Sequence, residues 1–175
     1  MRTVAEAVGV STASLLHHFP SKERLYGAVL ARIAESLEGW GELRENNGDP
    51  VDEIVAMVEG FFAWTESHDV YSRILLRELM DNASRATSAR HWYLAPVVRR
   101  CTQAVEDARR RGNIATIDAE TFVFQFVGSV VYFFVALPTA LRIMESTKRD
   151  ALIERFRAQI LSSTRRALAR AGGVS

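Results

Sequence analysis

An all-α fold is predicted by three features of this 175-residue chain. Apolar residues recur at steps of three and four along successive stretches, the spacing that collects them on one face of a helix. The alternation expected of a half-buried strand occurs nowhere. Glycine, proline and Asx residues punctuate the stretches where helices would need to stop, turn and restart. With 48% hydrophobic residues the chain can bury a sizeable core, and a charged fraction of 25% is ordinary for a globular protein. The predicted layout is a small N-terminal head over residues 1–45 and a helical-bundle body over residues 46–175.

The head begins with two short helices. Val4, Ala7 and Val8 sit at helical spacing and give the first one an apolar face. Gly9 follows, free to take the left-handed conformation that closes a helix. Ser11 offers its side-chain oxygen to the open amides of a second helix, which Leu15 and Leu16 anchor. Phe19-Pro20 ends it, because the residue before a proline is driven from the helical region. Ser21 caps a third helix, with Glu23 in its first turn where negative charge is favoured. Two short helices, a glycine turn and small polar residues opening the second describe a helix-turn-helix, whose second helix enters a DNA major groove.

From Lys22 to about Arg44 one long helix is expected, with Leu25, Val29, Ile33, Leu37 and Trp40 at helical steps. Asn46-Asn47-Gly48-Asp49-Pro50 breaks it. Val51 to Ser67 is the next helix, and Tyr71 to Asn82 the one after. Residues 84–88 read as a loop or frayed turn. A helix spans about Ala89 to Arg111; Pro96 inside it calls for a kink, or for a start near Ala95 with the proline in the first turn. Arg109-Arg110-Arg111 ahead of Gly112-Asn113 marks its end. Asp118 caps a helix that carries no charge from Thr121 to Leu141. That length can span a bilayer, but Gln125, Ser129 and Pro138 interrupt it, so burial between two layers is the reading adopted. Pro138 should kink or break it, leaving Thr139 to Met144 as a short turn of helix. The last helix runs from about Arg149 to Ala169, with Leu152, Phe156, Ile160, Leu161 and Leu168 on one face.

Charge and chemistry narrow the function. Net charge is +1, and residues 1–26 set Arg2, Lys22 and Arg24 against Glu6 and Glu23, a thin electrostatic footprint for nucleic acid. Cys101 is the only cysteine, so no internal disulfide or cysteine-based zinc site can form. His17 and His18 are adjacent and His68 and His91 stand apart, which gives no metal-ligand spacing. No paired carboxylates, activated nucleophile or glycine-rich phosphate cradle is present, so no enzyme activity and no cofactor are expected. No secretory signal opens the sequence, and a cytoplasmic location is expected.

The runs Ala5-Glu6-Ala7, Gly9-Val10-Ser11 and His17-His18-Phe19-Pro20-Ser21-Lys22-Glu23 before Leu25 resemble, almost position for position, the DNA-binding signature of the TetR family of transcriptional regulators. The resemblance implies a further amphipathic helix ahead of the pair. The sequence starts at Met1-Arg2-Thr3, at or just inside the motif's first helix, so an incomplete head is expected: a start codon assigned too late, a truncated form, or lost DNA binding. The implied DNA-facing residues are Arg2, Thr3, Ser11, Thr12, Ala13, Ser14, His17, His18 and Lys22. Thr12, Ala13 and Ser14 are small enough for a helix to sit deep in the groove. Leu16 stands where the family often has a phosphate-gripping tyrosine.

For the body, the resemblance implies a small-molecule pocket between helices and a homodimer through the last two. Phe61, Phe62, Trp64, Leu75, Leu79, Trp92, Tyr93, Phe122, Phe126 and Phe133 are pocket candidates, although for each one singly core packing is the commoner role of such a residue at helical spacing. His91, Gln125, Ser129 and Tyr132 are the polar groups available to them. The expected effector is apolar or aromatic. The expected mechanism is a population shift that releases a repressor from a pseudo-palindromic double-stranded operator, transmitted through Glu38 and Trp40. A helical dimeric module that has lost DNA binding is the competing reading, and a membrane-anchored helical protein a third; no membrane partner is expected.

Overall fold

Gly9 fixes how the chain turns between its first two helices. In the computed structural model, which describes residues 1–37, 40, 49–81, 95–111, 114–145 and 148–169, α1 (Arg2–Ala7) ends on Val8. Gly9 then takes φ +72°. Its amide donates to the Glu6 carbonyl (3.3 Å) and the Val10 amide to the Ala5 carbonyl (3.0 Å), the paired bonds of a Schellman stop. The chain enters α2 (Thr12–His18), capped by Ser11, and α3 (Lys22–Ser36), capped by Ser21. Ala5 and Leu15 are the buried anchors of the short pair. The apolar face expected on α1 is not covered: Val4, Ala7 and Val8 are exposed, and so is Val10.

The body consists of α4 (Pro50–Ser67), α5 (Asp69–Asp81), α6 (Ala95–Arg110), α7 (Ala119–Ile143) and α8 (Arg149–Leu168). Among the described residues there is no strand. Asp49 caps α4, its carboxylate accepting the Val51 amide at 2.9 Å, with Pro50 at the first helical position. Asp118 caps α7 through the Thr121 amide at 2.7 Å. α4 is the central post, packed against α5, α6, α7 and α8, while α7 also packs on α5 and α6. Phe61, Phe62, Val58, Val130 and Val131 are essentially sealed from solvent. Rings interlock across that core: Phe61 with Phe126 (5.9 Å), Phe62 with Phe134 (5.0 Å), and Phe133 flat on Phe156 (3.9 Å). Three ion pairs lace the outer side of α4: Arg165 to Asp52 (2.6 Å), Arg111 to Glu53 (2.5 Å), and Arg157 to Glu59.

Several expectations need correcting. α3 stops at Ser36 rather than near Arg44, because the Leu37 amide turns back to Ala34 at 3.0 Å. The chain leaves the helix so that Trp40 can lie on α4. There its indole N–H donates to the Met57 carbonyl (2.7 Å) and its ring packs on Phe61 (4.8 Å). Gly60 makes room for it: a Cβ there would meet the Trp40 ring at 3.1 Å. The described part of α6 begins at Ala95 with Pro96 next to it, and residues 89–94 of the expected helix lie outside the described residues. Pro138 neither breaks nor ends α7, which runs through it to Ile143. Nor is α7 buried on all sides. Phe122, Val123, Phe126, Val130, Val131, Phe134 and Leu137 face the core, whereas Phe124 and Tyr132 are 76% and 66% exposed. By length and composition α7 is the one helix among the described residues that could cross a membrane. The segments expected at residues 46–48, 84–88 and 112–113 lie outside the described residues.

Two backbone positions predict opposite stability changes. A Cβ at Gly9 would meet no neighbour, so only its positive φ opposes substitution; Gly9→Ala should cost about 1 kcal/mol and Gly9→Asn less. Glu145, past the end of α7, also has positive φ (47°), so Glu145→Gly should raise stability by up to about 1 kcal/mol. Urea midpoints of the three variants check both signs.

Candidate functional site

The surface that the head offers to a partner is α2 and its flanks. Leu15 turns inward and fixes the helix, so Ala13, Ser14, Leu16, His17 and His18 point to solvent, with Thr12 half-buried. Ser11 Oγ accepts the Ser14 amide at 3.0 Å, which leaves its hydroxyl hydrogen for a phosphate or base acceptor. The His17 and His18 rings meet edge to face at 5.5 Å and both are exposed. Lys22, the first residue of α3, stands across the Phe19–Ser21 turn from His18 and is exposed too. Arg2 donates to Glu6 at 2.9 Å with both side chains largely in water. Such a pair is worth well under ~1 kcal/mol, so a phosphate can replace the carboxylate. Thr3 is exposed beside it. The structure therefore brings all nine sequence-derived DNA-facing residues to the head's surface, Thr12 in part. Leu16 adds an apolar, 40% exposed side chain to the same helix.

Polar bonds tie this head to the body. Tyr26 on α3 donates its hydroxyl to Glu78 Oε2 on α5 at 2.9 Å, and Glu78 is only 7% exposed. Trp64 on α4 donates its indole N–H to Ser36 Oγ at 3.2 Å, and Ser36 in turn donates to the Ile33 carbonyl. Trp64 continues as a stack through His68 (5.1 Å) to Tyr71 (5.4 Å). Of the expected transmitting residues, Trp40 is in this joint and Glu38 lies outside the described residues. Tyr26, Ser36, Trp64 and Glu78 were missed as a joint. A signal existed for one of them: Glu78 is a carboxylate three and four residues from Leu75 and Ile74, on the apolar stripe of α5.

Most of the described aromatic candidates for an effector pocket lie in the packed core. Phe61, Phe62, Trp64, Leu75, Phe122 and Phe126 are all buried, and the rings among them fill one another's space, as interiors at close packing do. Gln125 faces solvent, its carbonyl accepting Ser129 Oγ at 2.7 Å. Ser129 and Phe133 do line an open cleft of about 340 Å³ between α7 and α8, together with Tyr132, Ala136 and Phe156. A second cleft of about 250 Å³ opens where the end of α4, the start of α5, the second half of α7 and the start of α8 meet. The side chain of Leu79, and His91, Trp92 and Tyr93, lie outside the described residues. Cys101 is buried on α6, and burial pushes its thiol up to about 12, so it stays protonated and unreactive near neutral pH.

An exposed, Ser-capped second helix behind a glycine turn, joined by part-buried polar bonds to an all-helical body, is the arrangement of a helix-turn-helix DNA-binding regulator. Residues 1–29 match the family described as "Bacterial regulatory proteins, tetR family". The HTH-type transcriptional regulator RutR of Escherichia coli is 25% identical over 151 residues, 86% of this chain and 71% of that protein. The nucleoid occlusion factor SlmA of Aliivibrio fischeri is 27% identical over 130 residues, 73% of this chain and 66% of that protein. The match over residues 1–29, the geometry of the head and the likenesses to RutR and SlmA together support a TetR-family transcriptional regulator.

Removing the Tyr26 hydroxyl tests the joint. Tyr26→Phe should leave the Glu78 carboxylate under-bonded in a buried position and cost about 1–3 kcal/mol. Glu78→Gln, which can still accept from Tyr26, should cost less. Chemical denaturation of the three proteins checks the order; equal stabilities would show that the bond carries no weight.

Proposed function

We propose that the chain is a homodimeric repressor that binds a pseudo-palindromic DNA site through α2 and is released by a small molecule bound in its body. The observation that carries the reading is the exposed face of α2. Its small residues Ala13 and Ser14 permit close approach to a groove, and His17, His18 and Lys22 flank them with donors for base edges and phosphates.

Support for a dimer comes from α7 and α8. Phe124, Tyr132 and Ile143 leave an apolar stripe along the outer face of α7, and Ala136, Ala140 and Phe156 line the cleft beside it. An unpartnered apolar stripe on α7, beside a cleft that α8 walls, suits an isologous four-helix contact with a second copy. Two copies would present two α2 helices, which is why a two-fold DNA site follows. Support for release comes from the joint. A body ligand that displaces α5 or α4 must disturb the Tyr26–Glu78 or Ser36–Trp64 bond and so reset the head, and the coupling must run both ways. The effector has an apolar body, because the body clefts have apolar walls. The regulator would act in the cytoplasm, on the nucleoid.

Fluorescence anisotropy against the gene's own upstream intergenic DNA, at fixed physiological salt, tests this. Both the 175-residue chain and a version extended to the next upstream in-frame start should be titrated. Binding should weaken steeply with salt, and Lys22→Ala should weaken it further and flatten the salt dependence, by loss of a phosphate contact. Tyr132→Arg should convert the dimer to monomer in light scattering and lower DNA affinity at least tenfold. If neither form binds while the protein remains dimeric, the reading falls in favour of a binding module without DNA activity.

A further inference from the structure

The ion pairs between α4 and α8 follow a register, and that register ends in a gap. The two helices run antiparallel. Asp52 meets Arg165, and two turns further along α4 Glu59 meets Arg157. Two more turns bring Glu66 on α4 opposite Arg149 on α8. No ion pair joins those two among the described residues; Arg149 Nη1 instead lies 3.4 Å from its own neighbour Asp150. Between Glu66 and Arg149 lies the 250 Å³ cleft, and both residues line it.

The rest of the lining gives the gap its chemistry. Asp69 and Arg73, one turn apart at the start of α5, form a loose pair at 3.3 Å on the cleft's rim. Phe134, Leu137, Pro138 and Leu141 of α7 make an apolar wall. Pro138 has no N–H to return to the Phe134 carbonyl four residues back, so that wall also holds a helix carbonyl without its usual donor. Thr65 adds no free donor, since its hydroxyl is spent on the Phe61 carbonyl at 2.7 Å. Two carboxylates, two guanidiniums and an apolar wall thus surround a volume below the roughly 300–1,000 Å³ of drug-sized sites.

We infer that this cleft binds a small zwitterion with an apolar body, of the class of the aliphatic and aromatic α-amino acids. The ligand's carboxylate takes the place of Glu66 opposite Arg149, within reach of Arg73. Its ammonium takes the place of Arg149 opposite Glu66. Its side chain lies on the α7 wall. A lone anion would meet Glu66 and Asp69 at close range, and a lone cation would meet both arginines; only a molecule carrying both signs completes the missing rung without an unpaired charge. The inference deepens the proposed effector-binding role and rests on it for its regulatory meaning. The cleft sits at the N-terminal end of α5, the helix that carries Glu78 to Tyr26 near its other end.

The test is calorimetric titration of the full chain, without DNA, with leucine and phenylalanine. It is repeated with 4-methylpentanoate, which lacks leucine's ammonium, and 3-methylbutylamine, which lacks its carboxylate. The zwitterions should bind, and each single-charge analogue should bind at least tenfold more weakly. Arg149→Gln and Glu66→Gln should each lower leucine or phenylalanine affinity at least tenfold. Neither residue forms an α4–α8 ion pair among the described residues, and Glu66 contributes only the smallest of the carboxylate attractions on exposed Arg157, so both variants should keep the parent melting temperature to within a few degrees. Absence of binding by both amino acids, or equal binding of the one-charge analogues, overturns the inference whatever the chain does with DNA. Amino-acid binding that leaves DNA affinity unchanged upholds the site and removes only the effector role proposed above.

Discussion

Burial of α4 is the constraint on which the structure depends. Ile54, Val55, Met57, Val58, Phe61, Phe62, Trp64 and Thr65 are all withdrawn from water. Residues so distributed cover most of the helix circumference, so one partner cannot shelter them. α5, α6, α7 and α8 each supply part of the cover, and Trp40 supplies another through the close approach allowed at Gly60. The same demand explains why the linking helix ends early. Continued to Arg44, α3 would carry Trp40 past the site where its ring lies on Phe61 and its indole N–H finds Met57. The only part of α4 free to hold charge is its outer edge, where Asp52, Glu53 and Glu59 meet arginines of α6 and α8. These pairs are mostly solvent-exposed and contribute little to stability; what they set is the register of α8 on α4.

How much of this was legible in the sequence depends on the range of the interaction. Local chemistry read correctly. Ser11, Ser21 and Asp118 each accept the amide three residues on, as capping requires, and Gly9 takes the positive φ foreseen for it. The end of α3 did not read correctly, since it is set by a contact between Trp40 and residues 17 or more positions away. A charge-free run along α7 could not say that only one side of it meets the body. Helical periodicity reports which residues are apolar, not how many neighbours are there to cover them.

The candidate sites divide along the same line. The DNA-facing set follows from a contiguous motif, and the structure places its members on the head's surface. The body candidates were mostly aromatics, and most of the described ones are buried in one interlocked core. The charged cleft was invisible because Glu66, Asp69, Arg73 and Arg149 are surface residues of three different helices. Nothing in a linear reading distinguishes them from any solvated helix face until the antiparallel register of α4 and α8 aligns them. Glu78 lay between these cases, a carboxylate on an apolar stripe whose partner, Tyr26, is 52 positions away.

Cys101 gives the body an internal clock. It is the single thiol of the chain, 1% exposed on the side of α6 that packs into the core. In the closed protein an alkylating reagent meets neither the sulfur nor a thiolate. Each labelling event therefore records a separation of α6 from its neighbours, and fraying of the head contributes nothing to the signal. The rate of thiol modification reads the opening free energy of the body alone, so a ligand's hold on the bundle can be timed without any reference to DNA.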